Sequence, residues 1–281
     1  MHPEWFVALQ RLTPQHTLSR AVGRLAASEQ STLKNLLINQ FCRVFKPVMS
    51  DAVVEDPTAY PSFNEFFTRA LKPGARPLPE DPAAMACPAD GSISQIGRLR
   101  GDAILQAKGV DFSATALLGG DAALAEEFTG GHFATVYLSP MDYHRVHMPF
   151  GGTLRRTIYV PGRLFSVNGA TASALPGLFA RNERLVCIFD TERGPMAVVL
   201  VGAMIVAGIE TVWRGVVTPP QRVLRHESFP VGAPKLTRGE ELGRFYLGST
   251  AIVLLPDTAF AWAPLAAGDK VRMGQTLGSF H

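Results

Sequence analysis

The residues Met196-Ala197-Val198-Val199-Leu200-Val201-Gly202-Ala203-Met204-Ile205-Val206-Ala207-Gly208-Ile209 form the longest uncharged apolar run in a chain of 281 residues. At 14 residues it falls short of the ~20 that cross a bilayer as a helix. Its valines, isoleucines and glycines suit strands buried in a sheet instead. Shorter runs of the same character lie on both sides, separated by glycine turns: Gly91 to Gly97, Ala134 to Leu138, and Leu185 to Phe189. The stretch Asp121 to Phe128 reads as a helix among them. The fold expected is α+β: a mostly antiparallel β core, barrel- or sandwich-like, with a layer of amphipathic helices at the N-terminus.

That layer differs in charge from the rest. The first 50 residues hold six Lys or Arg against Glu4 and Glu29, a net charge of +4, above the +3 of the whole chain. Trp5 to Leu12 reads as a short helix. Thr17 or Ser19 caps a second with Val22, Leu25 and Ala26, and Leu33 to Phe45 forms a third with apolar residues at helical spacing. Lys72-Pro73-Gly74-Ala75-Arg76-Pro77-Leu78-Pro79 is a stiff linker. The division is therefore residues 1–75, helical, and 76–281, β-rich. Basic amphipathic helices with an aromatic near one end suit a headgroup layer, and they equally suit packing on the neighbouring domain. The remainder is nearly neutral and has no nucleic-acid-binding motif.

An apolar content of 47 % in a chain of this length supports an ample core. Cys42, Cys87 and Cys187 show no paired spacing, which fits a reducing compartment. Met1-His2-Pro3-Glu4 lacks the basic and apolar regions of a secretory signal.

Three short segments carry chemistry. Leu247-Gly248-Ser249-Thr250 sets a hydroxyl directly after a glycine carbonyl, ahead of the strand-like run Ala251 to Leu255. Gly248 has no Cβ to shield its carbonyl and tolerates unusual dihedrals. Pro88-Ala89-Asp90-Gly91 is a turn bearing a carboxylate. Tyr143-His144-Arg145-Val146-His147-Met148-Pro149 holds two of the seven histidines. Asp, His and Ser are the ingredients of a relay in which an oriented imidazole takes a hydroxyl proton as the oxygen attacks a carbonyl. Each segment alone has a plainer reading. Gly-Ser-Thr and Pro-Ala-Asp-Gly are ordinary turns, and two histidines at i, i+3 are loop residues or two ligands of a zinc site lacking a third.

Taken together, the segments resemble the phosphatidylserine decarboxylases of the short bacterial type. The likeness runs from about Phe63 to the end. It rests on Phe63-Asn64-Glu65-Phe66-Phe67-Thr68-Arg69-Ala70-Leu71-Lys72-Pro73, on Pro88 to Gly91, and on Tyr137-Leu138-Ser139-Pro140-Met141-Asp142-Tyr143-His144-Arg145-Val146-His147. Further matches are Pro161-Gly162-Arg163-Leu164-Phe165-Ser166-Val167-Asn168 and Gly243 to Thr250.

The resemblance implies a proenzyme that cleaves itself between Gly248 and Ser249. Ser249 attacks the Gly248 carbonyl with Asp90 and His147 as the base system. The ester formed eliminates to dehydroalanine and hydrolyses to a pyruvoyl group. That group then forms the Schiff base with substrate in place of pyridoxal phosphate, and no metal is needed. His144, with an ordinary imidazole pKa of ~6.5, donates the proton that completes decarboxylation. The implied reaction converts phosphatidylserine to phosphatidylethanolamine and CO2 in phospholipid biosynthesis. A large chain, 1–248, and a small chain, 249–281, stay together as a heterodimer. A further homodimer is compatible with this reading, and nucleic acid is no partner.

A lipid substrate places the protein peripherally on an anionic membrane, at the cytoplasmic face. Arg145 and Lys108 are candidate anion partners, although surface solvation suits both. One competing enzyme reading is a pyruvoyl decarboxylase for another serine-headed lipid or amino acid. Outside enzymes, the competing reading is a non-processing β-barrel module that binds lipid or carries a lipoyl-like group, since Gly268 to Gly278 resembles the turn-strand signature of small biotinyl- or lipoyl-like barrels. A carrier needs its lysine at a hairpin tip, and Lys270 beside Val271 is poorly placed for that.

Overall fold

The computed structural model describes residues 3–107, 109–204, 208–218, 223–230 and 232–281. Lys108 lies outside them. Three helices open the chain: α1 (Pro3–Leu12), α2 (Gln15–Ala26) and α3 (Ser31–Phe45), followed after a 3-10 turn by the short α4 (Phe63–Phe67). The first and third expected helices are present. The second begins earlier than expected, because Pro14, with φ −74°, occupies the capping position. Thr17 and Ser19 therefore sit inside α2 and do not cap it. Ser62 does cap α4, its hydroxyl accepting from the Glu65 N–H at 3.2 Å.

The centre of the molecule is a nine-stranded antiparallel sheet among the described residues. Its spine runs Gly152–Val160, Arg184–Thr191, Gly194–Val201, Ser249–Leu255, His132–Leu138 and Gly91–Arg98. The long apolar run ends one strand of it, Gly194–Val201, and resumes at Gly208–Thr211 in a second, four-stranded sheet. That second sheet also holds Glu241–Tyr246 and Arg145–His147. The last residues, Thr276–Phe280, pair with Ala84–Ala86 and Phe260–Trp262. The sheets stay open, so the β core is layered and not a barrel. Lys270 pairs with Ser92 at the edge of the large sheet and occupies no hairpin tip.

Every residue of Ser249–Leu255 is buried. The period-two alternation of a strand sends Ile252 and Leu254 into one core, with Phe133, Val199 and Ile188. It sends Ala251, Val253 and Leu255 into a second core on the opposite face, with Val136, Val198 and Phe189. A strand covered on both faces reads as a continuous apolar run, as Ala251 to Leu255 does.

The helical layer has its own core of Ala26, Ile38, Phe41, Tyr60, Phe63, Phe66 and Phe67. Phe41 meets Phe63, Phe66 and Phe67 edge-on, with centroids 5.3 to 5.8 Å apart, a preferred aromatic geometry. Leu247 packs against this cluster. The segment read as a linker is pinned down: Arg76 is ion-paired at once to Asp51, after α3, and to Asp90, in the β body.

Candidate active site

Ser249 heads the central strand, opposite Leu138. It is completely buried, and its Oγ has no hydrogen-bond partner among the described residues. A buried hydroxyl left unpaired costs about 1–3 kcal/mol. The backbone just before it is also unusual. Leu247 has φ +82° and Gly248 φ +22°, and a branched side chain at positive φ is strained. A Cβ on Gly248 would meet nothing within 4 Å. Glycine is therefore needed there for the turn itself and for an unshielded carbonyl, not for want of space. The strain is held by Leu247, which the aromatic helical cluster grips on one side, and on the other by Ser249, paired with Leu138, and Thr250, paired with both neighbouring strands.

His147 ends the Arg145–His147 strand, its N–H bonded to the Pro88 carbonyl at 2.8 Å. Its Nδ1 lies 2.8 Å from the Gly239 carbonyl. A carbonyl only accepts, so Nδ1 carries the proton and Nε2 presents its lone pair. The Tyr143 hydroxyl lies 3.0 Å from that Nε2 and donates to it. Burial lowers the pKa of His147, so its neutral, basic form persists below the ordinary range.

Asp90 does not orient this imidazole directly. Its carboxylate accepts from Arg76 Nε at 2.9 Å and Nη2 at 2.5 Å, and from the Met273 N–H at 2.8 Å. The expectation of a carboxylate bonded to the imidazole is corrected to that extent. Asp90 acts on His147 through space, favouring its charged form, while Gly239 and Tyr143 hold the ring. Arg76 occupies Asp90 because the linker folds back over the Pro88–Gly91 turn, which spacing alone does not reveal.

His144 is corrected more sharply. It is fully buried, its ring 4.0 Å from that of Phe67. Nδ1 lies 2.9 Å from the Asp142 carbonyl and so carries the proton, while Nε2 has no partner among the described residues. Burial pushes its pKa down to about 3, with Arg69 adding to the effect. In this state His144 is a neutral ring with a free lone pair, not an imidazolium ready to donate near neutrality. The expected ordinary pKa assumed solvent access that the α4 aromatics remove.

Arg145 is no free anion partner. It bonds the Thr68 carbonyl at 2.8 Å and is ion-paired to Glu241 at 2.8 Å. The reading from sequence passed over Tyr143, Gly239, Arg76 and Phe67. Tyr143 and Phe67 stand inside segments already singled out, but nothing in their spacing reports a ring contact made in space. No group of three or more His, Cys, Asp or Glu among the described residues is placed to hold a metal ion.

The family model described as phosphatidylserine decarboxylase matches residues 63–279. The chain belongs to the phosphatidylserine decarboxylase family. A second model, described as PSD, covers residues 5–46 of the helical layer. A protein of Ectopseudomonas mendocina (strain ymp) is 60 % identical over 99 % of both chains. One of Pseudomonas putida (strain GB-1) is 59 % identical over 99 % of this chain and 98 % of its own. One of Bordetella pertussis is 57 % identical over 97 % of this chain and 93 % of its own. Each bears the name phosphatidylserine decarboxylase proenzyme. The family match spans both the strained Leu247-Gly248-Ser249 turn and the histidine segment that faces the same layer.

Proposed function

We propose that Ser249 is the nucleophile of self-cleavage and becomes the pyruvoyl group of a phosphatidylserine decarboxylase. The chain is a carboxy-lyase of that kind, made as a proenzyme. The observation that carries the residue assignment is the strained Leu247-Gly248 turn abutting a buried, unpartnered Ser249 hydroxyl. A hydroxyl without a hydrogen bond surrenders nothing when it turns onto the preceding carbonyl, and a strained peptide relaxes as its C–N bond opens.

Ser249 Oγ forms a bond to the Gly248 carbonyl carbon while its proton passes to the base system of Asp90 and His147. The Gly248–Ser249 C–N bond then breaks, leaving an ester and a free amine. Loss of the Ser249 α-proton expels the Gly248 carboxylate and leaves dehydroalanine. Water then replaces nitrogen as ammonia departs, and residue 249 ends as a ketone. The surroundings fit that group: residue 249 is buried, and no polar atom of the described residues is hydrogen-bonded to its oxygen. When formed, the pyruvoyl carbonyl supplies an electron sink for the substrate amine carbon after CO2 leaves. His144 is the proton carrier of that step through Nε2, which takes up a proton only once substrate has altered its surroundings. The large and small chains remain a heterodimer, because Ser249–Leu255 is hydrogen-bonded on both edges and buried on both faces.

The helical layer meets the membrane. Trp5 and Leu12 are 74 % and 84 % exposed, with Leu9, Leu25, Leu36 and Val44 also bare. Arg11, Arg20, Arg24 and Arg43 stand among them on the surface. Apolar side chains beside unpaired cations suit an interfacial helix on anionic lipid. No helix among the described residues is long and apolar enough to cross a membrane. The protein thus sits peripherally at the cytoplasmic face, where anionic headgroups are presented.

Denaturing intact mass spectrometry tests the assignment. Wild type should give two species, with the small one starting at residue 249 and carrying a ketone in place of an amine. Ser249→Ala should stay at the full 30.4 kDa; a cleaved alanine variant would remove Ser249 from the mechanism.

A further inference from the structure

Away from the cleavage turn, three arginines from three separate elements line one shallow cavity of about 450 Å³. Arg11 comes from the last turn of α1, Arg163 from the Pro161–Asn168 segment, and Arg181 from the end of the Leu178–Arg181 helix. Phe165 and Gly162 complete the lining. All three arginines are exposed, and none makes an ion pair among the described residues. Elsewhere in the β body Arg98, Arg100, Arg145, Arg155, Arg156, Arg214 and Arg244 each have a carboxylate. The nearest acid in sequence, Glu183, is buried and bonded to the Tyr159 hydroxyl.

The frame behind these arginines is rigid. The Arg163 N–H donates to the Arg181 carbonyl at 2.8 Å, and the Glu183 N–H donates to the Arg163 carbonyl at 2.8 Å. A Cβ on Gly162 would lie 2.5 Å from the Arg181 carbonyl oxygen, so only glycine lets the two backbones come this close. Helices α1, through Gln10, and α2, through Gln15 and His16, are fastened to the same segment. The side-chain oxygens of Gln10 and Gln15 accept from the N–H groups of Ser166 and Leu164 at 2.7 and 2.9 Å. His16 Nε2 lies 2.9 Å from the Gly162 carbonyl. Like charges lining one cavity repel one another. Planar forks lining one cavity match the oxygens of a phosphate.

We propose that Arg11, Arg163 and Arg181 form a phosphate-binding site that takes the headgroup of an anionic phospholipid at the membrane surface. Its place supports that source over free phosphate: Arg11 directly precedes Leu12, which is 84 % exposed, with the exposed Trp5 on the same helix. The site rests on the peripheral-membrane reading and adds a specific contact to it. It also accounts for the Pro161–Asn168 segment, which the cleavage chemistry leaves unused.

The test is a charge-conserving change, Arg163→Lys with Arg181→Lys, in the self-cleaved protein. Net charge is kept, so a diffuse field predicts unchanged binding, whereas the site predicts loss of the bidentate forks. Partition onto phosphatidylcholine vesicles containing phosphatidylglycerol should fall at least tenfold, with cleavage and melting temperature at wild-type values as the check on folding. Inorganic phosphate titrated into wild type should saturate, and the double variant should not. Equal vesicle partition with phosphate saturation lost only in the variant overturns the lipid source and leaves free phosphate. Equal behaviour in both assays overturns the site. A wild type that ignores anionic vesicles sinks the membrane reading separately, and the phosphate titration still decides whether the arginines form a site.

Discussion

The helical layer and the β body treat their surfaces in opposite ways. The β body buries its central strand on both faces and pairs most of its arginines with carboxylates. The helical layer leaves Trp5, Leu9, Leu12, Leu36 and Val44 exposed, and Arg11, Arg20, Arg24 and Arg43 make no ion pair among the described residues. Yet the layer is no loose arm. Its aromatic core holds Leu247, and Phe67 covers His144. One region thus carries the strained bond and the other helps keep it strained, while the outer face of the helices stays free for a surface outside the protein. Stability is concentrated in the sheet; the helices spend apolar area where folding gains nothing from it.

The sharpest way to break that contrast is stability. In the uncleaved Ser249→Ala background, Ile252→Ala should cost about 2–5 kcal/mol in urea unfolding, as expected for a fully buried branched side chain. Leu36→Ala on α3 should stay within ~0.5 kcal/mol. Comparable losses would mean that the helical face is buried against something in solution.

The next effect is pH-dependent. His144 has its pKa held at about 3 in the fold and returns to ~6.5 on unfolding. Between those values the unfolded chain binds the extra proton, so stability rises with pH and is lost as pH falls from ~6.5 toward ~3. The depressed His147 adds in the same direction. His144→Gln should flatten this slope in a series of unfolding curves; an unchanged slope would mean that the ring is open to water.

A smaller effect concerns Tyr143. Removing its hydroxyl with Phe takes one hydrogen bond, ~0.5–1.5 kcal/mol, from the His147 imidazole, the proposed acceptor of the serine proton. Cleavage followed by time-resolved mass spectrometry should slow several-fold, with its pH midpoint displaced. A wild-type rate and midpoint would leave Gly239 as the sole support of the ring. The smallest effect on stability belongs to Trp5→Ser with Leu12→Ser, within ~0.5 kcal/mol, although flotation with anionic vesicles should drop severalfold.

Much of this was legible in advance because local pattern carried it. Leu185 to Phe189 and Ala134 to Leu138 are strands since their apolar runs have one place to go. Asp121 caps the helix it precedes, with its side chain 2.9 Å from the Leu124 N–H. The Asp, the two histidines and the Ser entered as a set of expectations through the family likeness. Their electrostatics were not legible. The histidines stand three residues apart, but Phe67, 77 positions upstream of His144, decides how much water one of them sees. Arg76 lay in a stretch that reads as a spacer, and nothing local shows that it folds onto Asp90.

By itself, then, the sequence determined the β character of the body and the charge of the first 50 residues, and it offered Gly248–Ser249 as one of four bonds, with Gly91–Ser92, Gly152–Thr153 and Gly278–Ser279, that set a hydroxyl after a bare glycine carbonyl. Apolar periodicity and the lack of a Cβ are properties of neighbouring residues, so no fold is needed to read them. Only the tertiary structure decided that Leu247 is held at positive φ, that the Ser249 hydroxyl has no partner among the described residues, and that His144 is neutral. Strain, desolvation and an unmade hydrogen bond depend on what distant segments place around an atom, and that is settled only when the sheet and the helical layer close on each other.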